Sequence, residues 1–205
     1  MSTQNDRLEK AAVDKFARRR EQLAASALAT LAERGYARTG LRDIAQNSEF
    51  SHGVLHYYFK DKDELIQHCV RQYKSDCATH YDEIVATAST ADELTDQFAE
   101  AMSLTLRDDA SMHRLWYDLR NQSMFQAELR PLIDEIDDLL EQMIWNVVTR
   151  CAELSDSSVD VESALAYAMY DGMFEQSLMA FLAGDLGAMD AVVRRCRRLM
   201  HAIVS

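Results

Sequence analysis

Proline and glycine are scarce in this chain, whose 205 residues include one proline and six glycines. Runs of alternating apolar and polar residues, which would indicate strands, are also lacking, and no repeat period stands out. Because glycine and proline mark most turns and alternation marks strands, these shortages predict an almost entirely helical protein. Apolar residues make up 48% of the chain, which is enough for a substantial core.

Sequence motifs of common enzyme classes are missing too. There is no Gly-x-Ser-x-Gly elbow, no glycine-rich phosphate loop and no HExxH zinc motif. The four cysteines, Cys69, Cys77, Cys151 and Cys196, lack CxxC spacing, so we expect reduced thiols and no metal or cofactor. A metal or redox site built from Cys69, Cys77 and His80 is the alternative. We predict that the protein is not an enzyme.

Long apolar runs are absent as well. No stretch approaches the roughly 20 apolar residues that a membrane-spanning helix needs. Residues 1–12 are polar and lack the apolar centre of a secretory signal. We therefore expect residues 1–12 to form a flexible N-terminal arm on a soluble, cytoplasmic protein.

Acidic residues outnumber basic ones, and the net charge is −12. Residues 1–65 carry 11 Lys/Arg against 10 Asp/Glu, whereas residues 66–205 carry 11 against 24. The excess acid therefore lies in the second part of the chain, and a surface for nucleic acid belongs to the first. There Arg18, Arg19 and Arg20 either contact phosphates or form a solvated charged face.

Residues 39–65 predict two short helices joined by a tight turn. Ser51 is suited to cap the second helix, and Leu55 and Phe59, four residues apart, give that helix one buried stripe. Its other face carries polar and aromatic groups, namely Ser51, His52, Val54, His56, Tyr57 and Tyr58. A short helix of this kind suits the major groove of DNA.

Capping signals divide the rest of the chain into further helices. We expect the first helix to run from about Val13 to Arg34 and end at Gly35. Asp61 with Glu64 predicts the start of a helix that continues to about Ala88, and Thr90 with Glu93 predicts another start. Apolar residues then extend through the last two helices, at about 160–183 and 188–204.

The segment SHGVLHYYFKDK, residues 51–62, resembles the recognition-helix signature of the TetR family of bacterial transcriptional regulators. TGLRDIA, residues 39–45, is similar to the family's second helix, and LAERGY, residues 31–36, to the end of its first. Two positions depart from the pattern, since Glu49 replaces a glycine and His56 a tyrosine. If the backbone at Glu49 needs a positive φ, glutamate there costs about 1 kcal/mol.

The resemblance implies an all-α fold of about nine helices. It consists of a three-helix DNA-binding domain with a helix-turn-helix at residues 13–65 and a helical ligand-binding and dimerisation domain at residues 66–205. The last two helices of each subunit would pair in a homodimer on a palindromic operator, with recognition helices about 34–36 Å apart. The helix that begins near Asp61 would link the two domains.

Family position also implies the DNA contacts. His52, Gly53 and Val54 are expected near base edges. The residues expected near phosphates are Thr39, Arg42, Ser51, His56, Tyr57 and Lys62. Tyr58 either contacts a phosphate or packs within the protein.

The C-terminal 140 residues exceed what dimerisation requires, and their aromatic and methionine content suits an apolar small-molecule cavity. The candidate lining residues are Met102, Trp116, Tyr117, Phe125, Trp145, Tyr170, Met173 and Phe174. Asp118 and Asp171 leave a cationic or amphipathic ligand open. The resemblance implies a repressor that a small molecule releases from DNA. The alternatives are an activator of the same fold and a helical interaction protein that binds no operator.

Overall fold

The structure, a computed structural model, describes residues 4–36 and 38–205. Over these residues it contains no strand, apart from one isolated antiparallel bridge between Val159 and Val204, so the predicted all-α class is confirmed. The helices are α1 Gln4–Arg34, α2 Leu41–Gln46, α3 His52–Tyr58, α4 Lys62–Ala78, α5 Asp82–Thr87, α6 Ala91–Asp108, α7 Ala110–Ser123, a 3-10 turn Ala127–Leu129, α8 Arg130–Ser155, α9 Ser163–Leu182 and α10 Ala188–Ile203.

The chain divides into two compact units, which we call the first unit, Met1–Gln72, and the second unit, Tyr73–Ser205. The division falls within α4, as does the predicted domain boundary between residues 65 and 66. Helix α4 therefore begins in the first unit and ends in the second.

Two helix boundaries differ from the sequence-based expectation. Helix α1 begins at Gln4 rather than near Val13, so much of the predicted arm is helical, while residues 1–3 lie outside the described part. The helix expected from Asp61 to Ala88 is two helices, α4 and α5, which raises the helix count above nine. A turn at residues 79–81 separates them, and Tyr81 is buried there with its ring 4.8 Å from that of Phe98. No glycine or proline marks this break in the sequence.

The first unit has one apolar core beneath its short helices. Leu55 of α3 and Ile44 of α2 are fully buried, and Phe59 is 1% exposed. The facing residues from α1 and α4 are Leu23, Ala27, Leu31, Leu65 and Ile66. The predicted inward stripe of α3 is therefore in place, and on the opposite side Gly53, His56 and Tyr57 are exposed.

Helix α6 is the centre of the second unit, where it packs against α8, α9 and α10. Leu94, Phe98 and Leu106 of α6 are fully buried, and the ring of Phe98 lies 5.6 Å from that of Tyr170 on α9. Pro131 stands in the first turn of α8, where its missing N–H costs no helical hydrogen bond. Among the described residues, no helix is both long and apolar enough to cross a membrane.

We expect Phe98→Ala to lower the free energy of unfolding by about 3–5 kcal/mol, because it opens a cavity between Tyr81 and Tyr170. Urea denaturation followed by circular dichroism measures this. Phe125→Ala is the matched control: Phe125 is 86% exposed, so its truncation should change stability by less than about 0.5 kcal/mol. Equal effects of the two substitutions would contradict this account of the core.

Candidate nucleic-acid interface and ligand cavity

Helix α3 is held at its start by the residue that the sequence predicts. Ser51 is extended, and its Oγ accepts a hydrogen bond of 3.3 Å from the backbone N–H of Val54, so the predicted cap is confirmed. Leu55 and Phe59 point into the core. The remaining face presents Gly53, His56 and Tyr57 as exposed residues, with His52 and Val54 half-buried. The rings of His52 and His56 meet edge to face at 4.5 Å.

The two tyrosines at the end of α3 have different surroundings. Tyr58 packs on Phe16 of α1, with ring centroids 4.7 Å apart. Tyr57 is 73% exposed and touches Phe16 only edge-on, at 6.2 Å. Tyr58 therefore supports the helix, whereas Tyr57 is available to a ligand. The sequence analysis did not single out Phe16, although its position on α1 is apolar in an otherwise charged stretch.

The turn between α2 and α3 carries no strain at Glu49. Among the described non-glycine residues, only Asp156 has a positive φ. The Ser48 hydroxyl accepts a hydrogen bond of 3.2 Å from the N–H of Phe50, whose buried ring lies 4.4 Å from the Arg19 guanidinium. The cost that a positive φ would have imposed on glutamate therefore does not arise.

Two residues expected at phosphates instead hold the first unit together. Thr39 is 2% exposed, and its hydroxyl donates to the Gly35 carbonyl at 2.8 Å. Lys62 Nζ donates to the Tyr36 carbonyl at 2.7 Å and lies 4.1 Å from the centre of the Tyr36 ring. Burial of its only polar side-chain atom contradicts a direct contact for Thr39. For Lys62, the geometry supports a role in positioning the start of α4.

The three arginines of α1 separate into two groups. Arg20 forms an ion pair of 2.7 Å with Glu64 and covers the Phe59 ring at 4.6 Å, so it is part of the packing. Arg18 and Arg19 instead line a groove beside the recognition helix, together with Lys15, Gln22 and Tyr58. This groove places three basic residues, Lys15, Arg18 and Arg19, next to Tyr58 of α3.

Cys69 shows why a metal or redox site in this region is disfavoured. Its thiol is buried and donates to the Ala24 carbonyl at 3.2 Å. Burial raises the pKa of this thiol to about 12, whereas a metal ligand or nucleophile must be a thiolate. No group of three metal-binding side chains occurs among the residues that the structure describes.

The second unit contains a cavity of about 70 Å³ that is partly open to the surface. It is lined by Lys74, Tyr81, Met102, Thr105, His113, Tyr117, Leu140, Met143, Ile144, Tyr167, Tyr170, Asp171 and Phe174. Most of these are apolar or aromatic, and the charged members are one lysine and one aspartate. This composition is typical of a small-molecule site.

Half of the predicted ligand residues line this cavity, namely Met102, Tyr117, Tyr170 and Phe174. The others do not. Phe125 follows the end of α7 and is 86% exposed, and Trp145 and Trp116 are absent from the lining. Met173 lines a separate groove with Gly172 and Leu199. A count of aromatic residues cannot tell which side of a helix each one occupies, which explains why the eight candidates do not all line one cavity.

Lys74 is a buried cation in the cavity wall. It is 2% exposed, with Nζ 5.0 Å from the Trp116 ring and 5.6 Å from the Tyr73 ring. Burial lowers the pKa of Lys74 from its ordinary value of 10.5 to about 8, against the opposing influence of Cys77 and Asp171. It forms no ion pair or hydrogen bond with any residue in the described part of the chain.

His113 stands in the same wall. It is 7% exposed, and its Nε2 has no hydrogen-bond partner among the described residues. Its ring meets those of Phe174 at 4.7 Å and Tyr73 at 6.3 Å. Burial, and next the charge of Lys74, hold the pKa of His113 well below its usual value. The ring is therefore neutral near pH 7, with one nitrogen able to donate.

The cavity's acidic side is already neutralised. The Arg120 guanidinium forms an ion pair with Asp171, and the Tyr117 hydroxyl donates to the same carboxylate at 2.9 Å. Arg120 also reaches Asp137 at 3.4 Å, and the Tyr167 hydroxyl donates to Asp137 at 2.6 Å. Asp171 is therefore occupied, and Asp118 is not part of the lining. The suggestion of a cationic ligand loses its main support.

The sequence analysis missed Lys74 and His113, yet a signal for Lys74 was available. Ile66, Val70 and Lys74 follow one another at four-residue spacing on α4, and all three are buried. A lysine that continues an apolar stripe is expected to be buried. His113 lacks such a clear sign, because α7 mixes polar and apolar residues throughout.

Comparison with known proteins agrees with this architecture. The sequence profile described as "Bacterial regulatory proteins, tetR family" matches residues 23–69. The chain is 24% identical to the HTH-type transcriptional repressor KstR2 of Mycolicibacterium smegmatis, over 58% of this chain and 71% of that protein.

Solved structures show the same fold over nearly the whole length. A TetR transcription regulator from Haloarcula marismortui superposes with a TM-score of 0.75 at 13% identity, covering 92% of this chain and all of the other. The regulator FadR from Bacillus subtilis, solved in complex with stearoyl-CoA, gives a TM-score of 0.69 at 21% identity, covering 90% and 97%.

We expect Lys74→Met to raise the free energy of unfolding near pH 7 by up to about 3 kcal/mol, because it removes a charge that is unpaired and buried. The native pKa of Lys74 is lower than the unfolded one, so the penalty is complete below about pH 8 and fades toward pH 10.5. Urea denaturation at about pH 7 and about pH 10 measures it. The control is Lys60→Met, because Lys60 is exposed and its replacement should change stability little. An equal gain in the free energy of unfolding at both pH values in Lys74→Met would contradict this account.

Proposed function

We propose, because this chain belongs to the TetR family of bacterial regulatory proteins, that it is a transcriptional repressor which binds a palindromic operator as a homodimer and is released by a small molecule. The observation that carries the proposal is the uncovered face of α3 within the first unit. Leu55 and Phe59 anchor the helix from one side, so the other side is free for DNA.

Base reading is assigned to the N-terminal half of α3. Gly53 is exposed, and a Cβ placed there would have no neighbour closer than 4.0 Å, so this part of the helix offers little side-chain bulk. The backbone can therefore approach a base edge closely. His52 offers ring nitrogens for hydrogen bonds, and Val54 offers methyl groups that suit a thymine methyl.

Phosphate contacts are assigned to exposed groups around α3. Arg42 and Ser51 lie beside His52 at a shallow groove between α2 and α3. Tyr57 and His56 continue this edge, and Arg18 of α1 adds positive charge on the other side. Such contacts fix the register of the protein on DNA without reading its sequence. Lys62 acts indirectly, by holding the start of α4.

Dimerisation is assigned to the outer face of α9 with α10. Leu165, Met179 and Leu182 of α9 are 47%, 66% and 45% exposed, which is unusual for large apolar side chains on one helix. Between them, the exposed Ala168 and the open position at Gly172 allow a second helix to approach closely. A second copy of the chain presents the same apolar stripe, as a two-fold interface requires.

Release by the effector is assigned to a population shift. Helix α4 begins in the first unit with Lys62 and carries Lys74, which lines the cavity, in the second. A ligand that favours one position of α4 would therefore change the placement of the recognition helix. Moving an operator complex from 99% bound to 1% bound takes a differential affinity of about 5.5 kcal/mol. The stearoyl-CoA complex of the B. subtilis relative supports an organic effector.

We expect selection from a randomised duplex library to recover a palindrome. Arg42→Ala should weaken binding to every sequence alike. It should also make the slope of log affinity against log salt less steep by about 2, because each of the two subunits loses one phosphate contact. Val54→Ala should instead relax the preference at one position of each half-site. Fluorescence anisotropy on the selected duplex measures both effects.

Arg150→Ala is the control for charge, because Arg150 lies in the second unit and pairs with Glu153 on its own helix. It should leave operator affinity unchanged. A well-folded dimer that enriches no sequence would overturn the proposal and favour a helical interaction protein.

We expect Met179→Glu to convert the dimer into a monomer, because it buries a charge in an apolar interface. Sedimentation velocity measures the change directly. Met124→Glu is the matched control, since Met124 is 64% exposed but lies outside α9 and α10. Persistence of the dimer in Met179→Glu would rule out this face of α9 as the interface.

A further inference from the structure

We propose that the effector is a small organic monocarboxylate, whose anionic head is held by Lys74 and His113 and whose apolar body packs against Met102, Ile144 and Phe174. The inference rests on the proposed function only in calling this ligand an effector. The binding site itself is defined by the cavity and does not depend on DNA.

Lys74 is a buried cation without an anionic partner among the described residues. Its amine lines the cavity, is almost completely buried and has no bonding partner among the described residues. With a pKa of about 8, it is mostly protonated near pH 7 even without a ligand. A buried cation of this kind is destabilising unless an anion approaches it. A carboxylate in the cavity would supply that anion.

The second argument is the neutral donor beside it. His113 Nε2 has no hydrogen-bond partner among the described residues, and His113 lines the same cavity as Lys74. A neutral imidazole can donate one hydrogen bond. An ammonium and an imidazole N–H in the same wall can each serve one oxygen of a carboxylate.

The third argument concerns the sign and size of the ligand charge. A cation is disfavoured, because Asp171, the acidic residue of the lining, is already bonded to Arg120 and Tyr117. A dianion such as a phosphate monoester is disfavoured as well, since its second charge would face Asp171 with no further cation to balance it. One negative charge matches the one free cation of the lining.

The fourth argument is shape. The rest of the lining is apolar or aromatic, with Leu140, Met143 and Ile144 of α8 facing Phe174 of α9. A volume of about 70 Å³ is about half that of a cavity that binds benzene, so it suits a compact body such as a short branched chain. The ligand is therefore a small acid with one apolar group.

The test compares acids with their uncharged isosteres on the full-length protein. The probes are benzoate, phenylacetate, cyclohexanecarboxylate and isovalerate, each paired with its primary amide, and benzylamine serves as the cation. Isothermal titration calorimetry near pH 7 gives the affinities. We expect at least one acid to bind about tenfold or more tightly than its amide, and benzylamine not to bind.

Two variants assign the preference to its residues. Lys74→Met should lower affinity for the acid by about tenfold or more and leave affinity for the amide within about twofold. His113→Phe should lower affinity for the acid by a smaller factor. The exposed Lys60→Met should bind acid and amide as the unaltered protein does.

A pH series gives an independent readout. The titratable and charged neighbours of Lys74 are His113, Tyr73, Cys77, Asp109, Asp137 and Asp171. Because the acid binds the protonated amine, its affinity should fall as the pH rises above about 8, while that of the amide stays level. This fall in affinity for the acid at high pH should be absent in the Lys74→Met variant.

Three results would overturn the proposal: equal affinity for acids and amides, a preference for acids that survives Lys74→Met, or no binding of any acid in the series. Operator binding is measured on the same preparations. A protein that binds its operator but none of the acids would leave the proposed function standing and remove this inference. A protein that binds the acids but no DNA would support this ligand site and remove the proposed function.

Discussion

One-sided burial of the short helix α3 is the constraint on which the first unit depends. Leu55 and Phe59 lie in the core, and Phe59 is further covered by the Arg20 guanidinium. Since these contacts fix the rotation of α3 about its axis, they also decide which side chains remain in water. His56 and Tyr57 are exposed beside Gly53 for that reason, with His52 and Val54 half-buried.

The second unit combines a well-packed centre with a costly cavity wall. Phe98 of α6 is completely enclosed, and its edge-to-face contacts with Tyr81 and Tyr170 join three helices. Lys74, in the cavity wall, is 2% exposed and forms no hydrogen bond or ion pair within the described part of the chain. Such a residue lowers stability, and sites that lower stability are frequently those that bind ligands. This contrast is one reason for placing the proposed ligand site at this wall of the cavity.

Helix α4 connects these two features through a single continuous backbone. Its first turn is fixed by Lys62, which bonds to the carbonyl before α2, and by Asp61, which caps the N–H of Glu64 at 2.9 Å. Its last turns carry Tyr73, Lys74 and Cys77 into the second unit. This continuity is the physical basis for the release mechanism that we propose.

The sequence by itself determined the all-α class, the cap at Ser51 and the inward stripe of α3, because these depend on local spacing and on hydrogen bonds between near neighbours. It could not determine the break after α4, the support of Tyr58 by Phe16, the burial of Thr39, or which four of eight aromatic and methionine candidates line the cavity. Those features depend on contacts between residues that are far apart in the sequence. Lys74 shows the difference well: its place on an apolar stripe was visible in the sequence, but only the tertiary structure puts it in the wall of the same cavity as His113, with no hydrogen bond or ion pair to a described residue.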